Sequence, residues 1–177
     1  RLLGLAPITD WKLVPVYWLV VAGLTLGTFV DFEHMIIPDR VTLGGMAAGL
    51  ILSALVPSMH GASVRWVSIA WSVTGLCVGW GILWTIGVLG SMAFKKDAMG
   101  FGDVKLMGAI GAFLGGQSVI FILVISSLFG SIVGLTLVLI GRRQMQSRIP
   151  YGPYIALATV IWILWGSSWW QIYMDFM

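Results

Sequence analysis

Two carboxylic acids stand at the ends of long apolar runs, where an ionisable side chain is costly and therefore indicates a function. Asp31 follows the run 14–30, and Asp103 follows Gly100-Phe101-Gly102, 72 positions after Asp31. Two carboxyl groups held about 3 Å apart in a poorly hydrated site share a proton, so one can take a proton from water while the other polarises a carbonyl. The sequence therefore predicts an acid pair for amide hydrolysis, provided that the fold brings the two residues together. Taken singly, each Asp is equally consistent with a helix cap.

The two glycines before Asp103 give the backbone unusual freedom. Glycine adopts positive φ and allows a second chain to approach closely. An extended peptide can therefore hydrogen-bond to this stretch while its carbonyl faces the acids. We count Gly100, Phe101 and Gly102 as site-shaping candidates. The alternative is a flexible loop at the start of a helix.

The composition is typical of a membrane protein. Hydrophobic residues form 59% of the 177 residues, charged residues form 10%, and the mean hydropathy is +0.98, whereas roughly a quarter of a soluble domain is charged. Spans of about 20 residues leave room for roughly six or seven helices. No segment shows the sustained alternation of a membrane β-barrel. We predict one all-α, polytopic domain over residues 1–177.

Apolar runs predict about six transmembrane helices, at residues 14–30, 41–56, 67–89, 106–114, 119–140 and 151–170. Residues 106–140 carry no charge, but a single helix of that length would extend about 50 Å, beyond the roughly 30 Å of a hydrocarbon core. We therefore expect a turn at Gly115-Gly116-Gln117. Glycines four residues apart predict close helix packing, at Gly23/Gly27, Gly45/Gly49, Gly75/Gly79, Gly111/Gly115 and Gly130/Gly134.

Basic residues predict the orientation of these helices. Counting Lys and Arg on alternate connections puts seven on one side and three on the other, and the richer side faces the cytoplasm. Asp31 and Asp103 then share the cytoplasmic side. The 12 steps from Asp103 to Gly115 extend only about 18 Å, so Asp103 should lie below the membrane surface. The seven basic residues are Arg40, Lys95, Lys96, Lys105, Arg142, Arg143 and Arg148.

No metal, cofactor or nucleic acid is expected. Cys77 is the single cysteine, and His34 and His60 stand alone, so metal-ligand spacing is lacking. The net charge of +3 is attributed to membrane orientation. The lipid bilayer is a predicted partner, and the sequence leaves the oligomeric state open.

Three motifs, in order, make the sequence resemble a known family. Asp31 with Ile37-Pro38-Asp39, then residues 99–107 around Asp103, then Pro150-Tyr151-Gly152-Pro153, resemble the type IV prepilin peptidases, which are G-x-G-D intramembrane aspartic proteases. The resemblance implies that Asp31 and Asp103 are the catalytic pair. It also implies an enzyme of the bacterial cytoplasmic (inner) membrane. Such enzymes act at the cytoplasmic face and remove the basic leader of prepilins or pseudopilins, just before the hydrophobic helix of the mature subunit.

Many bacterial members of this family also methylate the new N-terminus with S-adenosylmethionine, through a segment with paired C-x-x-C motifs. This chain has only Cys77. We therefore expect the peptidase core alone, either in a peptidase-only protein or in a piece of a longer one. The resemblance does not carry methylation over to this chain.

Three charged residues near the acids are secondary candidates for substrate contact. Glu33 and Asp39 can attract a basic leader. Lys105 can bias the ionisation of the acid pair or bind a substrate carboxylate. The alternatives are solvated loop charges for the two acids and, for Lys105, an anchor that reaches the membrane surface.

Two other classes of function are consistent with the same residues. In a proton-coupled carrier, the acids would form a relay spread through the bilayer at several depths. In a structural subunit of a pilus or secretion system, they would only cap helices and need not be neighbours. The clustering of the acids at one face favours the enzyme.

Overall fold

The computed structural model describes residues 11–95, 99–140, 150–166, 168, 169 and 175. No strand occurs among these residues, and the all-α class predicted from the composition is confirmed. Six α-helices follow one another: α1 (Leu13–His34), α2 (Asp39–Leu55), α3 (Arg65–Phe94), α4 (Phe101–Leu114), α5 (Gly116–Leu139) and α6 (Gly152–Ile161). A short 3-10 turn lies at Pro57–His60 between α2 and α3.

The charge-free stretch 106–140 forms two helices, as its length requires. Helix α4 ends at Leu114, α5 begins at Gly116, and Gly115 between them has a φ of 81°, which side chains disfavour. The N–H of Gly115 donates to the Gly111 carbonyl and closes the last turn of α4. The predicted turn is confirmed.

Within the part of the chain that the structure describes, three helices, α1, α3 and α5, are long and apolar enough to cross a membrane. Helices α2 and α4 have 17 and 14 residues, or about 25 and 21 Å, so they are shorter than a hydrocarbon core of roughly 30 Å. Helix α6 has 10 residues and continues as a π-helical turn at Trp162–Gly166. The run predicted over 151–170 is therefore not one regular helix within the described residues. The protein is an all-α membrane protein, and three of the six α-helices among the described residues have the length of a full span.

Helix α4 packs backbone to backbone on α3. A Cβ on Gly75 would overlap the carbonyl of Gly111, and a Cβ on Gly79 would overlap the preceding turn of α4, so glycine permits this approach. Ser72 of α3 also donates a 2.7 Å hydrogen bond to the Ala112 carbonyl of α4. The packing predicted for Gly75 and Gly79 is confirmed.

Helix α2 packs closely on α4 as well. A Cβ on Gly45 would lie 3.2 Å from Ala109 Cβ, and one on Gly49 would lie 2.9 Å from Ala112 Cβ. Every residue over 106–113 is buried. Helix α4 is therefore the central helix, and its first turn cannot shift without moving α2 and α3.

Candidate active site

Asp31 lies in the last turn of α1 and is buried, with 5% of its surface exposed. Met35 caps the helix with a left-handed φ of 54°, and its N–H donates to the Asp31 carbonyl. The chain then enters α2 at Asp39, and Ile37 in the connection is buried. The short connection keeps the end of α1 beside the start of α2.

Asp103 lies in the first turn of α4 and is also buried, with 8% exposed. Gly100 is the N-cap residue, and its carbonyl accepts a 3.1 Å hydrogen bond from the Asp103 N–H. Gly102 packs on the α1–α2 connection, where an added Cβ would lie 3.2 Å from Ile37 Cβ. Glycine at position 102 therefore lets this connection approach α4.

The structure brings Asp31 and Asp103 to one pocket of about 270 Å³ and near enough for their charges to interact. Surroundings of low polarity strengthen such an interaction, so two neighbouring carboxyl groups resist being ionised together. A pair that holds one proton can both accept a proton from a bound water and donate one. The pocket is also lined by Met35, Ile36, Ile37, Asp39, Gly100, Phe101, Gly102 and Lys105.

A backbone group from α6 completes the surroundings of Asp31. The Gly152 N–H donates a 3.1 Å hydrogen bond to Asp31 Oδ2, and an added Cβ at position 152 would lie 2.7 Å from the same oxygen. From sequence, Pro150-Tyr151-Gly152-Pro153 is a motif of the family resemblance with no predicted role in the site. The glycine between two prolines was the available signal, because it marks a place where a backbone can approach another group closely.

Lys105 forms an ion pair with Asp39, and both residues line the pocket. The Lys105 Nζ lies 2.7 Å from Asp39 Oδ1 and 5.1 Å from the centre of the Phe101 ring. The two side chains are 16% and 63% exposed, and an ion pair open to solvent contributes at most about 1 kcal/mol. Its main effect is to connect the start of α2 to the start of α4.

Glu33 is the sequence candidate that the structure keeps apart from the others. It is exposed on the last turn of α1 and does not line the pocket. Gly100, Phe101, Gly102, Asp39 and Lys105 all line it. Among the described residues, no group of three or more His, Cys, Asp or Glu side chains is arranged to hold a metal ion.

Residues 18–135 match the model of the type IV leader peptidase family. The chain is 36% identical over 151 residues to the prepilin leader peptidase/N-methyltransferase of Aeromonas hydrophila. The aligned region covers 85% of this chain and 48% of that protein. Proteins of the same name from Pseudomonas putida and Pseudomonas aeruginosa are 35% and 31% identical over 156 residues, or 88% and 87% of this chain and 50% of each relative.

The chain spans about half the length of the curated relatives it matches. No solved structure gives a significant match.

Proposed function

Because the chain belongs to the type IV leader peptidase family, we propose that it is a membrane-embedded aspartic endopeptidase. The proposed substrates are type IV prepilins or pseudopilins, from which the enzyme removes the basic leader. The observation that carries the proposal is the pocket that Asp31 and Asp103 share. Residues 1–177 would form one peptidase domain, and methylation is not proposed because the chain has a single cysteine and no paired C-x-x-C motifs.

In the proposed reaction, Asp31 and Asp103 hold one proton between them. The ionised carboxyl takes a proton from a water while the protonated carboxyl donates to the scissile carbonyl oxygen, so the new C–O bond forms without an acyl-enzyme. The gem-diol intermediate then breaks its C–N bond as the newly protonated carboxyl passes its proton to the leaving amine and the other carboxyl takes a proton from a diol hydroxyl. The pair ends with the single proton with which it began.

The apolar lining of the pocket supports a peptide substrate. Ile36 and Phe101 are 66% and 53% exposed beside the two acids. Such side chains offer apolar surface to hydrophobic residues next to a scissile bond. A prepilin, in which a hydrophobic helix follows the leader, has this character. Asp39 and Glu33 are exposed acids at the same end and are suited to attract a basic leader.

The position of the buried acids favours hydrolysis over proton transport. A relay through a bilayer needs ionisable groups at several depths. In the part of the chain that the structure describes, Asp31 and Asp103 are the only buried acids, and both line the same pocket. Their placement supports an enzyme rather than a carrier.

We also propose that this pocket faces the cytoplasm, at the cytoplasmic (inner) membrane of a bacterium. Arg40 at the start of α2 and Lys95 at the end of α3 lie at the connections that follow Asp31 and precede Asp103, and Lys105 lies in α4 two residues after Asp103. Basic residues mark the cytoplasmic side. The other four counted there, Lys96, Arg142, Arg143 and Arg148, lie outside the described residues.

The test is cleavage of a synthetic peptide that joins a basic leader to an apolar segment, followed by mass measurement of the products. We expect the purified protein in detergent to cut at the junction. Asp31→Asn and Asp103→Asn should each lower kcat by about 100-fold or more, because an amide cannot exchange the proton. Asp175→Asn, at an exposed acid outside the pocket lining, is the matched control and should keep full activity.

Two results would contradict the proposal in different ways. A folded wild-type protein that leaves every such peptide intact would contradict the peptidase function. If Asp31→Asn or Asp103→Asn cleaved the peptide at a rate similar to that of the wild type, the catalytic role of the acid pair would be contradicted.

A further inference from the structure

The start of α6 contacts the Asp31 carboxyl directly. The hydrogen bond from the Gly152 N–H to Asp31 Oδ2 is buried and joins residues 121 positions apart. An N–H in the first turn of a helix has no intrahelical acceptor and carries part of the positive end of the helix dipole. This N–H therefore favours a charged carboxyl and fixes the orientation of the oxygen that accepts from it.

Tyr151 connects this start of α6 to α5. Its hydroxyl lies 2.7 Å from Ser126 Oγ and 3.2 Å from Ser127 Oγ. The peptide unit that follows Tyr151 is the one that carries the Gly152 N–H. Tyr151 thus links the two serines of α5 to the peptide that carries the donor to Asp31.

We propose that Tyr151 is a positioning residue for Asp31, because its hydroxyl keeps the following peptide N–H aimed at the carboxyl. The inference rests on the proposed function and adds α5 and α6 to the elements that set the acid pair. Without the hydroxyl, the ring and the pocket lining remain, but the peptide and the carboxyl it holds lose their fixed orientation. Turnover then falls while substrate binding does not.

The test is a double-mutant cycle between Tyr151 and the serines, measured by peptide cleavage. Tyr151→Phe should lower kcat by up to about tenfold with KM unchanged, a factor expected for the loss of one hydrogen bond between neutral groups. The double substitution Ser126→Ala with Ser127→Ala removes the same contacts from the side of α5 and should give a similar loss. All three substitutions together should add nothing further, because they remove one interaction.

The control is Ser118→Ala, which removes a hydroxyl that donates to the Gly115 carbonyl in the first turn of α5, and it should keep the wild-type kcat. A wild-type kcat in Tyr151→Phe, a loss in KM alone, or losses that add in the combined variant would each overturn the positioning role. These outcomes are read only where the wild type cleaves the peptide and Asp31→Asn does not. If the wild type cleaved no peptide, the proposed function itself would fail, so the two failures can be distinguished.

A second measurement needs no substrate. Dicyclohexylcarbodiimide modifies carboxyl groups in the protonated form, and mass measurement of peptides locates the adduct. Tyr151→Phe and the serine double variant should raise the rate of labelling at Asp31 about threefold or more, because the charged form loses its donor. Ser118→Ala should label at the wild-type rate. Unchanged labelling in both altered proteins would overturn the positioning role even if no peptide is cleaved.

Discussion

A methyl group at position 152 would occupy space that the Asp31 carboxyl fills. An added Cβ would lie 2.7 Å from Asp31 Oδ2 and 3.3 Å from both Asp31 Cγ and Ile37 Cδ1. Gly152→Ala therefore displaces the carboxyl, and a misplacement of about 1 Å costs on the order of 100-fold in rate. We expect the kcat for peptide cleavage to fall by about this factor, with only a small change in the temperature of unfolding.

The control for this substitution is Gly81→Ala in α3, where an added Cβ meets no atom within 4 Å. This variant should cleave like the wild type. A Gly152→Ala enzyme with full activity would show that the carboxyl can move without consequence, and the close contact at position 152 would then have no part in the reaction.

Asp31 and Asp103 could be found from sequence because the cost of an ionisable group beside an apolar run is a local property. The partners of the site could not. The Gly152 contact with Asp31 spans 121 positions and the ion pair of Lys105 with Asp39 spans 66, so both depend on how the helices pack.

At the scale of the elements, α4 depends on the glycines of α3 for its position. A Cβ on Gly75 would overlap the Gly111 carbonyl, so Gly75→Ala must push α3 and α4 apart. Overpacking of this kind costs about 1–3 kcal/mol. We expect a lower temperature of unfolding and a lower kcat as well, because α4 carries Asp103 in its first turn.

Gly81→Ala also serves as the control here, since it makes the same change on the same helix in open space. It should unfold at or above the wild-type temperature, because alanine favours a helix over glycine. Equal stability of the Gly75 and Gly81 variants would contradict the close approach of α3 and α4.

The turn at Gly115 could be predicted because a helix over 106–140 would be too long for a bilayer. The π-helical turn after α6 had no such signal. It places the Trp162 ring against Gly166, and the same ring lies 5.1 Å from that of Phe121 on α5. The shape of this segment therefore depends on a neighbouring helix rather than on its own apolar pattern.

For the molecule as a whole, the acid pair lies where α1 ends and where α2, α4 and α6 begin. At the other end of α4, the His60 ring lies 3.7 Å from where a Cβ on Gly115 would be. The sequence could predict that Asp31 and Asp103 share a side of the membrane, because this depends only on the number of helices between them. It could not predict the contacts that bury both carboxyls, because these come from four helix ends meeting.

Accessibility of single thiols in intact cells measures the orientation of the whole molecule. In a Cys77→Ser background, which removes the native exposed thiol, Glu33→Cys marks the end with the acids and Ser63→Cys marks the turn between α2 and α3. Both positions are exposed. The positive-inside rule puts Glu33 in the cytoplasm, so a maleimide that cannot cross the membrane should label Ser63→Cys in intact cells and Glu33→Cys only after permeabilisation.

The two thiols act as each other's control, because one change of orientation must exchange their behaviour. Labelling of Glu33→Cys alone in intact cells would place the pocket outside the cytoplasm, where a basic leader that stays in the cytoplasm cannot reach it. Labelling of both thiols in intact cells would mean that residues 33 and 63 lie on one side, which the 17 residues of α2 permit only if that helix fails to cross. Peptide cleavage by each single-cysteine protein, measured in detergent, shows that the labelled form is the active one.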